Sequence, residues 1–198
     1  KQMKIDLLSL TAHKIFGPMG IGALYVGKKP RVRLEPIFSG GGQEKGLRSG
    51  TLAPALCVGL GEALRIADEE MLGDAARLGA LRDQMWQRLN GAVPGLVLNG
   101  SMTNRIGVNL NFSVDGADAE SLMAALPGLA VSSGSACSSA SDDSSHVLKA
   151  IGLSNALAEA SLRIGLGRFT TADEVESATK QLIKAITTVR DGRYEIAA

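Results

Sequence analysis

Cysteine is scarce in this chain: two thiols, Cys57 and Cys137, among 198 residues. Two such residues make neither a disulfide framework nor a metal set. They suggest a reducing compartment, where a free thiol is reactive rather than structural. A charge excess is missing as well. Lysine and arginine number 21 against 20 acids, so bulk charge draws the chain neither to nucleic acid nor to an anionic membrane. No apolar run reaches the roughly 20 residues that span a bilayer, and no secretory signal is visible. Repeats are absent, and the only low-complexity segment is the serine-rich stretch 132–145. These absences leave a soluble intracellular globular chain, long enough for a proper core in one domain or two small ones.

What is present is an alternation of short strands and helices. The apolar run Ile5–Leu10 turns polar at Ser9, presents His13-Lys14, and is broken by Gly17-Pro18. That pattern predicts a buried strand carrying a lysine to a sheet edge, with a second strand over Ile21–Val26. A basic segment (Lys28, Lys29, Arg31, Arg33) and the glycine run Gly40–Gly42 follow. Two strands alone are marginal in water, so their sheet partners must come from elsewhere. A helix is expected from Thr51-Leu52 onward, with Leu56, Leu60, Leu64 and Ala67 at helical spacing. A second is expected after Gly73, with Leu78, Leu81, Met85 and Leu89 on one face, ending at Gly91 and Pro94.

From about residue 95 the period changes. Leu96–Leu98 reads as a short strand, and Ile106 to Val114 alternates apolar and polar residues as a half-buried strand does. Asp118–Leu126 reads as a helix, Leu129–Val131 as a strand, Val147–Ile151 and Ala156–Ala160 as short helical pieces, and Ser161–Leu166 as a strand. Thr171 and Glu174 match a capping box; behind them Val175, Ala178, Leu182, Ile186 and Val189 mark the buried face of a last helix. Helices on one face of a mainly antiparallel sheet, a small α+β layer, is the expected architecture.

Some residues stand out chemically. A partly desolvated lysine can lose its proton and attack a carbonyl, although a lysine at a strand end is also ordinarily just solvated. Cys137 sits in Ser132-Ser133-Gly134-Ser135-Ala136-Cys137-Ser138-Ser139-Ala140-Ser141, with nothing apolar enough to bury it. An exposed, mobile thiol is therefore expected, where a free cysteine is usually buried. Cys57, beside Leu56 and Leu60, reads as core. His146 has no cysteine at ligand spacing, so no metal site is expected. The basic run Lys28–Arg33 reads as a solvated turn or a docking surface for an acceptor protein.

Four blocks in order carry a family resemblance: Ser9 to Val26, Gly40 to Thr51, Ser132 to Ser141, and Ser161 to Thr171. Together they resemble the group I cysteine desulfurases, pyridoxal phosphate (PLP) enzymes of the class V aminotransferase family, over their C-terminal half. The resemblance implies a fold that is α/β and α+β: the C-terminal part of the type I PLP-dependent transferase fold. Residues 1–72 would be a remnant of the PLP-binding large domain. Residues 73–198 would be a linking helix and a complete small α+β domain bearing the cysteine loop. Because members of the family run longer than this chain, a fragment or split half is expected.

Site roles follow from the same resemblance. Lys14 would carry PLP and serve as acid and base. His13 and Thr11 would contact the PLP phosphate, although a core histidine is the ordinary alternative for His13. Thr51 would reach the phosphate of a neighbouring subunit, which implies a homodimer. Arg163 would hold the substrate carboxylate with its rigid fork, unless it simply faces water from an edge strand. Cys137 would take sulfur from L-cysteine as a persulfide, releasing alanine. Partners would be an iron–sulfur scaffold protein and other sulfur acceptors, including those of tRNA thiolation, with no direct nucleic-acid or membrane contact. The compartment would be the bacterial cytoplasm or a mitochondrion. Three alternatives stay open. One is a chain inactive by itself, because the family's upstream PLP contacts cannot be located in it; another is a sulfur-accepting interaction module; the third is a selenocysteine lyase or sulfinate-removing enzyme.

Overall fold

Alternation buries one face of a strand: in β4 (Asn109–Val114) Leu110, Phe112 and Val114 are fully buried, and on the opposite face Ser113 is buried as well. In the computed structural model, which describes residues 3–28, 32–133 and 145–192, the chain divides into two units, Lys1–Met71 and Leu72–Ala198.

The second unit is built on a three-stranded antiparallel sheet in the order β3 (Leu96–Leu98), β4, β5 (Ser161–Gly165). Leu98 pairs with Phe112, Phe112 with Leu162, and Leu110 with Ile164. The apolar side chains of these pairs share one face. They join Leu78, Met85 and Leu89 of α1 (Pro54–Ala92), Leu122 of α2 (Ala119–Ala124), and Leu182 and Ile186 of α5 (Ala172–Arg190) in a single core. Each such side chain removed from water contributes about 1.5–3 kcal/mol. Trp86 leans on Phe112 with ring centroids 6.1 Å apart. The capping box at the start of α5 is present: Glu174 N donates to Thr171 Oγ1 (3.2 Å), and Thr171 N donates to Glu174 Oε2 (2.8 Å). Asp118 caps α2 through Ser121 N (2.8 Å), and these amide bonds hold its carboxyl below the usual range. The short helices α3 (His146–Ala150) and α4 (Asn155–Glu159) are capped by Ser145 and Ser154.

Several element expectations are corrected here, and the first is the strand read from Ile106 to Val114, which begins only at Asn109 and leaves Ile106 70% exposed. Residues 54–92 form one helix of 39 residues, not two. Gly73 lies inside it because a helical glycine costs only about 1 kcal/mol relative to alanine, less than good helix formers on both sides recover. Leu129–Val131 is not a strand. Leu129 N instead closes the turn after α2 on Leu126 O (3.0 Å), and pairing with β5 is met only at Ser132.

The first unit contains the antiparallel ribbon β1 (Leu7–Thr11) and β2 (Gly22–Val26), in register from Leu7↔Val26 to Thr11↔Gly22. The expectation of a buried strand is overturned: Leu7 and Leu8 are 43% and 46% exposed, and Leu24 and Tyr25 each 52%. A two-stranded ribbon has too few neighbours to cover either face. The connection between the strands is instead the packed part. Ala12 is fully buried, with Leu60 and Ala63 of α1 also buried. A Cβ on Gly17 would stand 2.9 Å from Ala63 Cβ, and one on Gly59 would stand 2.8 Å from Pro18 Cγ. Only glycine admits that approach.

A candidate cofactor and carboxylate site

Lys14 is not at the strand end itself. It sits in a single 3₁₀ turn, Ala12–Ile15, that follows β1 directly. The turn forms because Ala12 N continues the ladder onto Ile21 O (3.1 Å), while Gly17 N closes back on Ala12 O (2.9 Å). Phe16 takes a left-handed φ of 63° to allow this, a rare conformation for a bulky residue. Ala12 is thereby buried, and the two residues after it are turned outward. Lys14 is exposed, the solvated alternative of the two that the sequence left open: the ribbon lacks a covering layer that would strip water from the amine.

His13 is exposed as well, so the core-histidine alternative fails. Its Nδ1 lies 3.0 Å from Thr11 Oγ1, which is also 3.4 Å from Ile21 O. One hydroxyl proton cannot serve both acceptors. When it points at Ile21, the imidazole donates from Nδ1. The turn thus gathers a primary amine, a hydroxyl and an imidazole within four residues. That donor set fits a ligand with an aldehyde and a phosphate, the two reactive ends of PLP.

Thr51 is exposed in the loop before α1. The glycine-rich segment ahead of it is tied to itself: Ser49 Oγ donates to Ser39 O (3.2 Å), Gly50 N to Gln43 Oε1 (3.2 Å) and Arg48 Nη1 to Ser49 O (3.1 Å). Cys57 is half-buried and free. Cys137 lies outside the described residues, as do Lys29 and Arg31 of the basic run.

Arg163 belongs to the second unit, on β5. Its neighbours Leu162 and Ile164 enter the core, and its own side chain faces out. It pairs with Asn111 of β4 on one side and Ser132 on the other. Arg163 N donates to Ser132 O (2.6 Å), Ser132 N to Arg163 O (3.3 Å), and Arg163 Nη2 to Ser132 Oγ (3.4 Å). Ser161 Oγ lies 3.3 Å from Ser133 O. The serine-rich segment is therefore rooted on β5 at its start, and at its end Ser145 Oγ accepts from Leu148 N (3.5 Å). Sequence reasoning missed Ser132 as the partner of Arg163. The only signal was its place at the head of the serine motif.

A second missed feature is the clamp from α1 to the segment after β5. Arg168 Nε donates to Asp74 Oδ2 (3.1 Å), and Arg77 donates to Thr170 O (2.7 Å) and Arg168 O (2.5 Å). The guanidinium of Arg168 holds the Asp74 carboxyl below its usual range. Among the described residues no group of three histidine, cysteine or acidic side chains could hold a metal ion. Nor is any helix among them long and apolar enough to cross a membrane.

The family described as aminotransferase class-V matches residues 1–177. The chain is 52% identical over 190 residues to a cysteine desulfurase IscS of Pseudomonas aeruginosa strain LESB58, covering 96% of this chain and 47% of that protein. The same figures hold for a cysteine desulfurase IscS of Histophilus somni strain 129Pt. Among solved structures, a NifS-like protein superposes with a TM-score of 0.81 at 29% identity, over 94% of this chain and 47% of the other. SspA in complex with cysteine gives 0.58 at 32% identity, over 85% of this chain and 46% of the other. The chain thus spans about half the length of the relatives it matches.

Proposed function

Because the chain belongs to the class V aminotransferase family, whose members use PLP, we propose that it supplies the lysine-bearing and cysteine-bearing half of a cysteine desulfurase. The observation that carries this is the outward-turned Lys14, presented beside the Thr11–His13 pair. It is supported by the likeness to proteins named cysteine desulfurase and to a structure holding cysteine. Lys14 would hold the aldehyde of PLP, Thr11 and His13 its phosphate, and Thr51 the phosphate of a second subunit in a homodimer. Bound there, PLP supplies an electron sink.

The chain's own residues do the rest. Arg163 takes the substrate carboxylate on its two parallel N–H groups, which orients the amino acid. The Lys14 amine moves protons. The Cys137 thiol takes the sulfur: L-cysteine and the thiol become L-alanine and a Cys137 persulfide, with no atoms left over. The persulfide passes to a scaffold protein for iron–sulfur clusters and to other acceptors, including those of tRNA thiolation. We place this in the bacterial cytoplasm, with the mitochondrion as the alternative.

Borohydride reduction of the chain with PLP, followed by peptide mass spectrometry, is expected to put a pyridoxyl group on Lys14 and to lose it in Lys14→Ala. Labelling spread over surface lysines would sink the proposal. Because the chain spans about half of its relatives, alanine release from L-cysteine is expected only when the N-terminal half of a relative is added. Release by the chain alone would show that half to be dispensable. Selenocysteine turned over in preference to cysteine would instead favour the lyase.

A further inference from the structure

We infer that Asn111 is a second donor to the carboxylate that Arg163 binds, with Ser132 setting the guanidinium between them; this rests on the role proposed for Arg163. Directly opposed residues in an antiparallel pair project side chains to one face with Cβ atoms about 4.5–5.5 Å apart. Asn111 and Arg163 are such a pair, on the face opposite Phe112 and Leu162. Arg163 is exposed and Asn111 half-buried, so a dissolved ligand reaches both.

The orientation of the Asn111 amide is fixed from behind. Asn99, 3% exposed, donates from Nδ2 to Asn111 Oδ1 (2.6 Å) and to Ser113 Oγ (3.0 Å). Ser113 Oγ in turn donates to Leu157 O (2.6 Å). This chain of bonds engages the Asn111 oxygen, and among the described residues no hydrogen bond takes up its NH₂. Arginine has no acceptor, and across the strand Ser132 Oγ already receives Arg163 Nη2. The donors this patch offers are thus the Arg163 guanidinium and the Asn111 NH₂. Its complement is a small planar oxyanion, and in the proposed reaction that is the α-carboxylate of the amino acid.

The test uses the 198-residue chain and p-hydroxyphenylglyoxal, which modifies arginine, with modification at Arg163 followed by peptide mass spectrometry. L-Alanine is expected to slow it, and alaninamide, which lacks the carboxylate, is not. Asn111→Asp keeps the acceptor for Asn99 and removes the donor. It is expected to abolish protection by alanine, and Asn111→Ala to raise the alanine needed for half-protection about tenfold or more, the weight of a hydrogen bond to a charged group. Ser132→Ala is expected to weaken protection and Ser132→Thr to retain it. Far-UV circular dichroism checks that each variant folds. Undiminished protection in both Asn111 variants would overturn this inference and leave Arg163 as the carboxylate residue. No protection in the unchanged chain, or equal protection by alaninamide, would overturn the Arg163 role and this inference with it.

Discussion

Phe112 is fully buried between Trp86 and the strands on either side of β4. Phe112→Ala therefore loses both transfer energy and packing, and is expected to cost about 3–5 kcal/mol in urea unfolding. Asp74 is expected to act through pH. Its carboxyl is held below the usual range first by the hydrogen bond from Arg168 and further by Arg77. The folded state thus favours the ionised form. The clamp's contribution is complete above the unfolded carboxylate pKa of about 3.9 and is lost as pH falls through the lower, folded value. Asp74→Asn should flatten the acid limb of stability against pH below about pH 4, with little change in slope near neutrality. An unchanged acid limb would show that the clamp does not couple to folding.

At the scale of elements, α1 runs unbroken through Gly73. A Cβ there meets nothing within 4 Å, and the helix needs no unusual backbone at that point. Gly73→Ala is expected to stabilise the chain by about 0.4–1 kcal/mol, by restricting the unfolded state and raising helix propensity. A lower melting temperature would imply that the glycine serves some contact the structure lacks. The capping box of α5 and the apolar alternation of β4 were legible in the sequence, because each is written by residues within four positions of one another. The break at Gly73 was misread because a glycine inside a helix is punctuation only when the surrounding residues fail to outweigh it. The strand at Leu129–Val131 was misread because three apolar residues make a strand only where a neighbour is in register.

Across the molecule, the two units differ in how much apolar surface they cover. The second buries one contiguous core, whereas Leu8, Phe16, Met19, Leu24, Tyr25 and Phe38 of the first are all more than two-fifths exposed. Patches of exposed apolar surface bind other apolar groups, and strands with few buried contacts open readily. Hydrogen exchange followed by mass spectrometry is expected to find β1 and β2 exchanging orders of magnitude faster than β4. The dye ANS is expected to fluoresce with the chain at neutral pH. Equal protection in the two units would contradict the exposure described here.

The sequence by itself determined local patterns: the apolar alternation of β4, the capping box of α5, and that Arg163 sits on a strand. Tertiary structure alone decided that the Lys14 amine stands in water, because desolvation depends on layers that no local pattern encodes. It alone set Arg163 between Asn111 and Ser132, because cross-strand register joins residues 52 and 31 positions apart by sequence number. Periodicity acts over a few residues, but exposure and pairing belong to whatever the chain brings back from a distance.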